Sequence, residues 1–375
     1  MSSDAAPAAR PVVTGIGVLS ACGHGLDPLV TAVGYGKAGF STVSRFDVAR
    51  RRVRRAALLP DPPPLAEALL TVLGDACRQA DPSGAGSGTN LGTTPLLLAL
   101  HSDLRTAGVA ARVGAGAAEQ WGLPGVTRVY TGACVAAGTA VADAAALVRA
   151  GRHPRVLVAA GHLVEPGVFA AFDAGRALAR DGELRPFSSG RSGMLLGDAA
   201  VAVLVEAESA AEARGAQVLA RLAGWGRSGD AHHVCRPVPD GGGMARAAEA
   251  ALARAGVDAA EVGYVNANGT GSPLADRAEA AALRRVFGDR TDTLPVSSTK
   301  AVHGHALEAS ALLELVVTIG ALRRGLLPVN AGYLGPDPDC RLDLVLDGPR
   351  EAAPRYALSL NSAFGGANTA LLVAA

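Results

Sequence analysis

The 375-residue sequence predicts an α/β layered protein. Strand-like runs rich in valine and other β-branched residues alternate with small-residue helices along the whole chain. The second half repeats the order of elements seen in the first. Hydrophobic residues make up 49% of the chain and charged residues 18%, so the chain can bury a large core and is not disordered.

Val12 to Leu19 (VVTGIGVL) is a buried strand that leaves through Gly15 and Gly17. Arg45 to Arg55 (RFDVARRRVRR) is a solvated surface segment. Pro60 to Pro64 is a stiff break, Leu65 to Ala80 has helical apolar spacing, and Asp81 to Gly88 is a flexible loop. Thr127 to Tyr130 is strand-like, and TGACVAAGTA after it opens a helix to about Ala150. Arg155 to Ala160 is a second buried strand, Pro186 to Gly197 a loop and Ala199 to Glu206 a strand. The second half then gives a strand at Val218 to Gly226, a helix at Met244 to Ala255 and a strand at Val262 to Ala267. A helix follows at Leu274 to Phe287, then a short strand at Leu294 to Val296. A long apolar helix at Ala306 to Arg323 carries arginines at its C-terminal end, where the helix dipole favours them. Strands at Tyr356 to Ser362 and Thr369 to Ala374 close the chain around a glycine turn.

Composition excludes several functions. The net charge is +1, from 35 basic and 34 acidic residues, which argues against a nucleic-acid partner. The longest apolar stretch, Ala311 to Leu322, falls short of the ~20 residues of a membrane span and contains Glu314. The first ten residues lack the charged-then-apolar order of a signal peptide. Cys22, Cys77, Cys134, Cys235 and Cys340 are an odd, scattered set, as expected for reduced thiols in a cytoplasm.

Four groups of residues can carry chemistry. Cys134 lies where a strand meets a small-residue helix, a place where the dipole and free N–H groups lower a thiol pKa. Taken alone it is equally a small core thiol. Asn268-Gly269-Thr270-Gly271 ends a strand, where ligands bind in open α/β sheets, although a plain strand-to-helix turn looks the same. Its spacing does not fit the dinucleotide fingerprint. Lys300 to His305 (KAVHGH) places two histidines before a helix. In Asn361 to Asn368 (NSAFGGAN), Gly365 and Gly366 allow the backbone N–H near Phe364 to point into a cavity. His232-His233-x-Cys235 has no further ligand at a credible spacing, so a loop and no metal site is expected there.

In this order and spacing the motifs resemble the β-ketoacyl synthase family of the thiolase superfamily, in its type I/II elongating branch. The likeness runs from VVTGIGVLS to FGGANTALLV and includes RALARDGELRPFSSGRSGMLLGDAAVAVLVE, Arg176 to Glu206. It implies a thiolase fold: two similar βαβαβαββ-type halves forming a five-layered αβαβα core. The halves would be residues 1–206, with Cys134, and 207–375, with Asn268, Lys300, His305 and the FGGAN turn. Cys134 matches the acyl-accepting nucleophile, His305 and Lys300 the K-S-x-x-G-H pair. Phe364 matches the gating phenylalanine, whose N–H joins that of Cys134 in the oxyanion hole. Thr270 and Ser272 match positions that contact pantetheine, and Asp276 and Glu279 match structural acidic positions. No cofactor is implied beyond the phosphopantetheine that the substrate carries on an acyl carrier protein, for which Arg50 to Arg55 is a candidate dock. A dimer is implied, a homodimer or a heterodimer with a related ketosynthase, through the strand Arg155 to Ala160.

The sequence departs from the family where the H-G-T-G histidine is expected. Asn268 stands there and can donate a hydrogen bond but cannot shuttle a proton. His303 is a conceivable substitute. The first phenylalanine of the F-G-F-G-G turn is Ser362, which still lines the acyl site. The AGGAE-like stretch reads AAGHL, and the chain is short between Arg45 and Trp121. Losing one proton-transfer group removes about 10²–10⁴-fold in rate. The expected activity is therefore acyl transfer: Cys134 takes an acyl chain from a carrier protein and passes it on without decarboxylation, in type II polyketide or fatty-acid-like metabolism. The alternatives are a decarboxylative β-ketoacyl synthase tolerating Asn268, and a non-catalytic partner resembling a chain-length factor.

Overall fold

The computed structural model describes residues 8–80 and 91–375. The loop expected at Asp81 to Gly88 lies outside the described residues, as does most of the N-terminal decapeptide. Eleven strands follow one another across the main sheet. In chain order they are β1 (Pro11–Ser20), β2 (Leu96–Ala99), β3 (Val126–Tyr130), β4 (Arg155–His162), β5 (Ala199–Ala207), β6 (Ala220–Gly229), β7 (Val262–Asn266), β8 (Pro295–Ser297), β9 (Asp343–Leu344), β10 (Tyr356–Ser362) and β11 (Ala367–Ala374). Their spatial order is β9-β8-β7-β10-β11-β6-β1-β5-β4-β2-β3.

That order is one pattern used twice. From β1 outward the chain goes to its fifth, fourth, second and third strands, and from β6 outward the same permutation recurs once the two-residue strand β9, added at the far edge, is set aside. The pairing directions repeat as well: antiparallel, antiparallel, parallel, parallel. The halves join where Val12 and Val13 pair with Arg221 and Ala220.

Five layers follow. Helix α1 (Leu65–Ala80) covers β1 and β5 from outside, α2 (Ala136–Arg149) and α6 (Ser310–Arg324) fill the middle, and α4 (Gly242–Ala255) covers β6 and β11. Between them in sequence lie α3 (Pro166–Ala174) and α5 (Pro273–Phe287). Small residues permit this closeness. A Cβ on Gly138 of α2 would lie 2.7 Å from Thr369 Oγ1 and 3.3 Å from the Ala311 Cβ of α6. Nearly every residue of α6 is buried, Glu314 included.

Gly15 and Gly17 do not end the first strand. It runs on to Ser20, and the glycines let α1 lie on it, with a Gly17 Cβ position 1.9 Å from Val72 O. Gly224 and Gly226 repeat the device under α4, at 2.0 Å from Ala251 O and 1.8 Å from Ala247 O. The dimerisation strand expected at Arg155 to Ala160 is also corrected. β4 is hydrogen-bonded on both sides, to β5 and β2, and has no free edge. The edge strand of that half is β3, with Thr127, Arg128 and Val129 exposed. The helix expected from Ala306 starts at Ser310, because Leu307 adopts φ 42° and its N–H goes to His305 Nδ1.

Gly226→Ala should destabilise the fold by about 1–3 kcal/mol, since the methyl must displace helix backbone. Gly229→Ala, on the same strand with open space around the added carbon, should be close to neutral by comparison. Thermal unfolding of the two variants checks this.

Candidate active site

Both halves deliver their chemistry to the ends of parallel strands. Cys134 follows β3 in a 3₁₀ turn, Ala133–Val135, ahead of α2. Ala133 has φ 52°, an unfavourable value for a residue with a Cβ, and strain of this kind is common where a side chain must be re-aimed. Asn268 follows β7, Lys300 follows β8, and Ser362 ends β10. Cys134, Asn268, His305, Ser362 and Phe364 line one cavity of about 300 Å³, with Thr270 and Ser272 on its wall.

Lys300 anchors this cavity from behind. It is fully buried, with its Nζ 2.5 Å from Glu314 Oε1. The same ammonium donates to Asn268 O at 2.7 Å and to Asn268 Oδ1 at 3.2 Å. Glu314 in turn accepts from Asn361 Nδ2 at 2.6 Å. Sequence reasoning noted Glu314 only as an interruption in an apolar helix. A lone carboxylate in the middle of an otherwise apolar run was the available signal.

Two of the departures from the family pattern meet here. Asn268 Nδ2 donates to Ser362 Oγ at 3.0 Å. Its carbonyl oxygen faces Lys300, so the amide is held from both ends. One Nδ2–H is left for the cavity. Below it, Glu279 accepts the N–H groups of Asn268 and Gly269 at 2.7 and 2.8 Å. Asp276 accepts those of Thr270, Gly271 and Phe187 at 2.8 to 3.1 Å. Burial pushes these carboxyls up, Asp276 to about 7 and Glu279 to about 8, against the pull of the N–H groups. These two residues shape the turn rather than face the cavity.

His305 is held in one tautomer. Its Nδ1 accepts the Leu307 N–H at 3.2 Å and lies 2.8 Å from Ser310 Oγ. In the neutral ring the proton is then on Nε2. Burial, with the nearby Lys300 charge second, holds the pKa well below the ordinary histidine value. His305 is thus a neutral donor at physiological pH. His303 cannot stand in for the missing histidine. Its Nε2 meets Thr299 Oγ1 at 2.9 Å and its Nδ1 meets Gly304 O at 2.7 Å, so both nitrogens are committed away from the cavity.

Cys134 departs from expectation in its acidity. The helix N-terminus was expected to lower its pKa, but burial dominates and pushes the thiol up to about 12, with Glu308 adding to the rise and Lys300 opposing it. Phe364 is 47% exposed and stacks on Phe172 at 6.0 Å. The neighbouring Gly365 N–H is taken by Val234 O and the Ala363 N–H by Ala367 O, while among the described residues the Phe364 N–H meets no acceptor. The turn therefore presents one free donor.

Arg176, Cys235 and Arg236 also reach this cavity. His232-His233-x-Cys235 lies in the loop between β6 and α4, where His233 Nδ1 accepts the Cys235 N–H. Among the described residues no group of three or more His, Cys, Asp or Glu is arranged to hold a metal ion, and no helix is long and apolar enough to cross a membrane.

Comparison with known proteins decides the family. The β-ketoacyl synthase N-terminal domain model matches residues 85–211 and the C-terminal domain model residues 219–333. The chain belongs to the β-ketoacyl synthase family. Nodulation protein E of Rhizobium meliloti is 42% identical over 253 residues, 67% of this chain and 62% of that protein. The 3-oxoacyl-[acyl-carrier-protein] synthase 2 of Staphylococcus aureus is 36% identical over 207 residues, 54% of this chain and 51% of the relative. The chain thus matches between half and two thirds of the length of these relatives. Among solved structures, the ishigamide ketosynthase/chain length factor superposes with a TM-score of 0.87 at 28% identity, covering 98% of this chain and 99% of that one. The thiolase fold of the ketosynthases is therefore the fold of this chain.

A thiol with its pKa near 12 should alkylate ever faster with pH. The rate of Cys134 carbamidomethylation, followed by peptide mass mapping, should rise about tenfold per unit from about pH 6 to 9 without levelling. A plateau near neutrality would reveal an activated thiolate.

Proposed function

We propose that this ketosynthase-family protein is an acyltransferase that loads an acyl chain from a carrier protein onto Cys134 and hands it to a second substrate without decarboxylation. The observation that carries the reading is the fixed amide of Asn268 between Lys300 and Ser362, in a cavity whose other reactive groups are intact. Loading is a thioester exchange. The Cys134 sulfur attacks the acyl carbon, the pantetheine sulfur leaves and takes the thiol proton. Negative charge on the carbonyl oxygen is met by the Phe364 N–H, with the Cys134 N–H as the second donor the family likeness implies. His305 Nε2–H is a further donor to a thioester carbonyl. Acyl-Cys134 is then attacked by a hydroxyl, amine or thiol acceptor. Thr270 and Ser272 on the cavity wall would contact the pantetheine arm.

Decarboxylation asks for more. A malonyl carboxylate losing carbon dioxide leaves an enolate whose oxygen two imidazoles would stabilise. Asn268 offers a single N–H there and no proton, so condensation is disfavoured. The arginines Arg176 and Arg236 at the mouth suit the phosphate and acidic surface of a carrier protein. In Arg50 to Arg55, Arg55 is paired with Glu183 and Arg54 with the Ala49 carbonyl, which leaves less of that segment for docking. The exposed edge of β3 is the surface that suits pairing with a second subunit, a copy of this chain or a related ketosynthase.

Incubation with acyl-carrier protein should add the acyl mass to the wild-type chain and not to Cys134→Ala. A persistent gain in the variant would remove Cys134 as the nucleophile. The double exchange Asn268→His with Ser362→Phe restores the family's residues at both linked positions. It should raise carbon dioxide release from malonyl-carrier protein by about 10²-fold or more while lowering transfer. Unchanged release would show that these two positions are not what holds decarboxylation back.

A further inference from the structure

A concave, arginine-rich site lies at the opposite end of the strands from Cys134. β6 carries Arg221 near its start, on the wall of this site, and Asp230 just past its end, on the wall of the active-site cavity. β10 likewise starts here at Tyr356 and ends at Ser362 in the active site, about 20 Å away at the rise of an extended strand. The two cavities share no lining residue.

The cavity holds about 560 Å³, within the range of small-molecule sites. Arg10, Arg149, Arg221, Arg254 and Arg355 line it. Arg10 and Arg221 pair with Glu208, and Arg355 pairs with Glu261. Among the described residues Arg149 and Arg254 have no carboxylate in reach. Their hydrogen bonds go to backbone carbonyls, from Arg149 Nη1 to Arg254 O at 3.2 Å and from Arg254 Nη1 to Trp225 O. Even with Ala375 counted as a carboxylate, held by Arg221 at 3.3 Å, five arginines face three carboxylates.

The two uncompensated guanidiniums also meet on one ring. Arg254 Cζ lies 5.1 Å and Arg149 Cζ 5.8 Å from the centroid of Trp225, which is buried beneath them. Each arginine stands in the last turn of a helix, Arg149 in α2 and Arg254 in α4, where the dipole favours a cation. Dipole and ring quadrupole account for each charge singly. Neither accounts for two like charges gathered on one indole, whose repulsion an anion between them would turn into attraction.

We propose that this cavity binds the phosphate or pyrophosphate group of a small molecule, with Arg149 and Arg254 as paired donors. A guanidinium offers its N–H groups in a planar fork that matches phosphate oxygens, and each of these two has donors left after its carbonyl bond. This is a second site, independent of the acyl-transfer reading and separate from the cavity that would load Cys134.

The test reads binding alone. The chain has two tryptophans, so in a Trp121→Phe background the emission reports Trp225. Sodium pyrophosphate, inorganic phosphate and adenosine diphosphate are titrated at constant ionic strength set with chloride, by fluorescence and by calorimetry. Pyrophosphate should bind saturably with a Kd below about 1 mM and change the Trp225 emission. Arg149→Gln and Arg254→Gln, both at exposed positions, should each weaken binding about tenfold or more, as loss of charge-assisted hydrogen bonds allows. Arg78→Gln, an exposed arginine of α1 outside the cavity, should leave it unchanged. Adenosine diphosphate binding about tenfold more tightly than pyrophosphate assigns the site to a phosphate ester with an organic body, as one or two added contacts allow. Equal or weaker binding assigns it to the free anion. Absence of saturable binding by all three probes, or binding that neither arginine exchange weakens, overturns the proposal. Should Arg254→Gln fail to fold, Arg149→Gln decides, since the single carbonyl bond it loses lies at the surface.

Discussion

A lysine ammonium with no access to water holds the active site together. Lys300 is one of two lysines in the chain, and a buried charge is tolerated only with a counter-charge and further hydrogen bonds around it. Glu314 supplies the first from α6, and Asn268 supplies the second twice, with its backbone and side-chain oxygens. The loop after β7, the helix turn after β8 and the middle helix are thereby tied at one point. Glu314 extends the tie to Asn361 on β10. Removing either partner would leave a charge buried alone, so Asn268 is held as much by the lysine's needs as by catalysis.

That network gives the replaced histidine its meaning. An amide at position 268 can accept from Lys300 on one side and donate to Ser362 on the other. A phenylalanine at 362 could do nothing for it. The departures at positions 268 and 362 are therefore one hydrogen-bonded change. Decay would not be expected to produce a satisfied pair in a buried place. His303, the conceivable replacement, spends both nitrogens on Thr299 and Gly304 and serves the turn instead.

Much of this was legible in the sequence, and the failures have physical causes. Strand and helix periodicity located most elements, and the spaced motifs identified the fold and the family. The β1 glycines were read as an exit because a glycine pair inside a strand looks like a turn; only the helix lying on it explains them. The strand Leu96–Ala99 and the helix Thr106–Trp121 went unread, since short apolar or alanine- and glycine-rich stretches carry little pattern. Which strand has a free edge depends on spatial order, and the sequence holds no local record of that. The acidity of Cys134 was misjudged because the helix dipole is visible in a sequence and desolvation is not. Glu308 and His101, far apart along the chain, meet in a hydrogen bond only once the chain is folded.

The central claim is that the pinned amide of Asn268 has turned a condensing site into a transferring one. The most direct measurement is carbon dioxide release from malonyl-carrier protein by wild-type chain whose Cys134 has first been acylated and verified by mass. The account predicts release no faster than from malonyl-carrier protein alone, with acyl-Cys134 intact until a nucleophilic acceptor is added. Carbon dioxide formed in step with chain extension would contradict it.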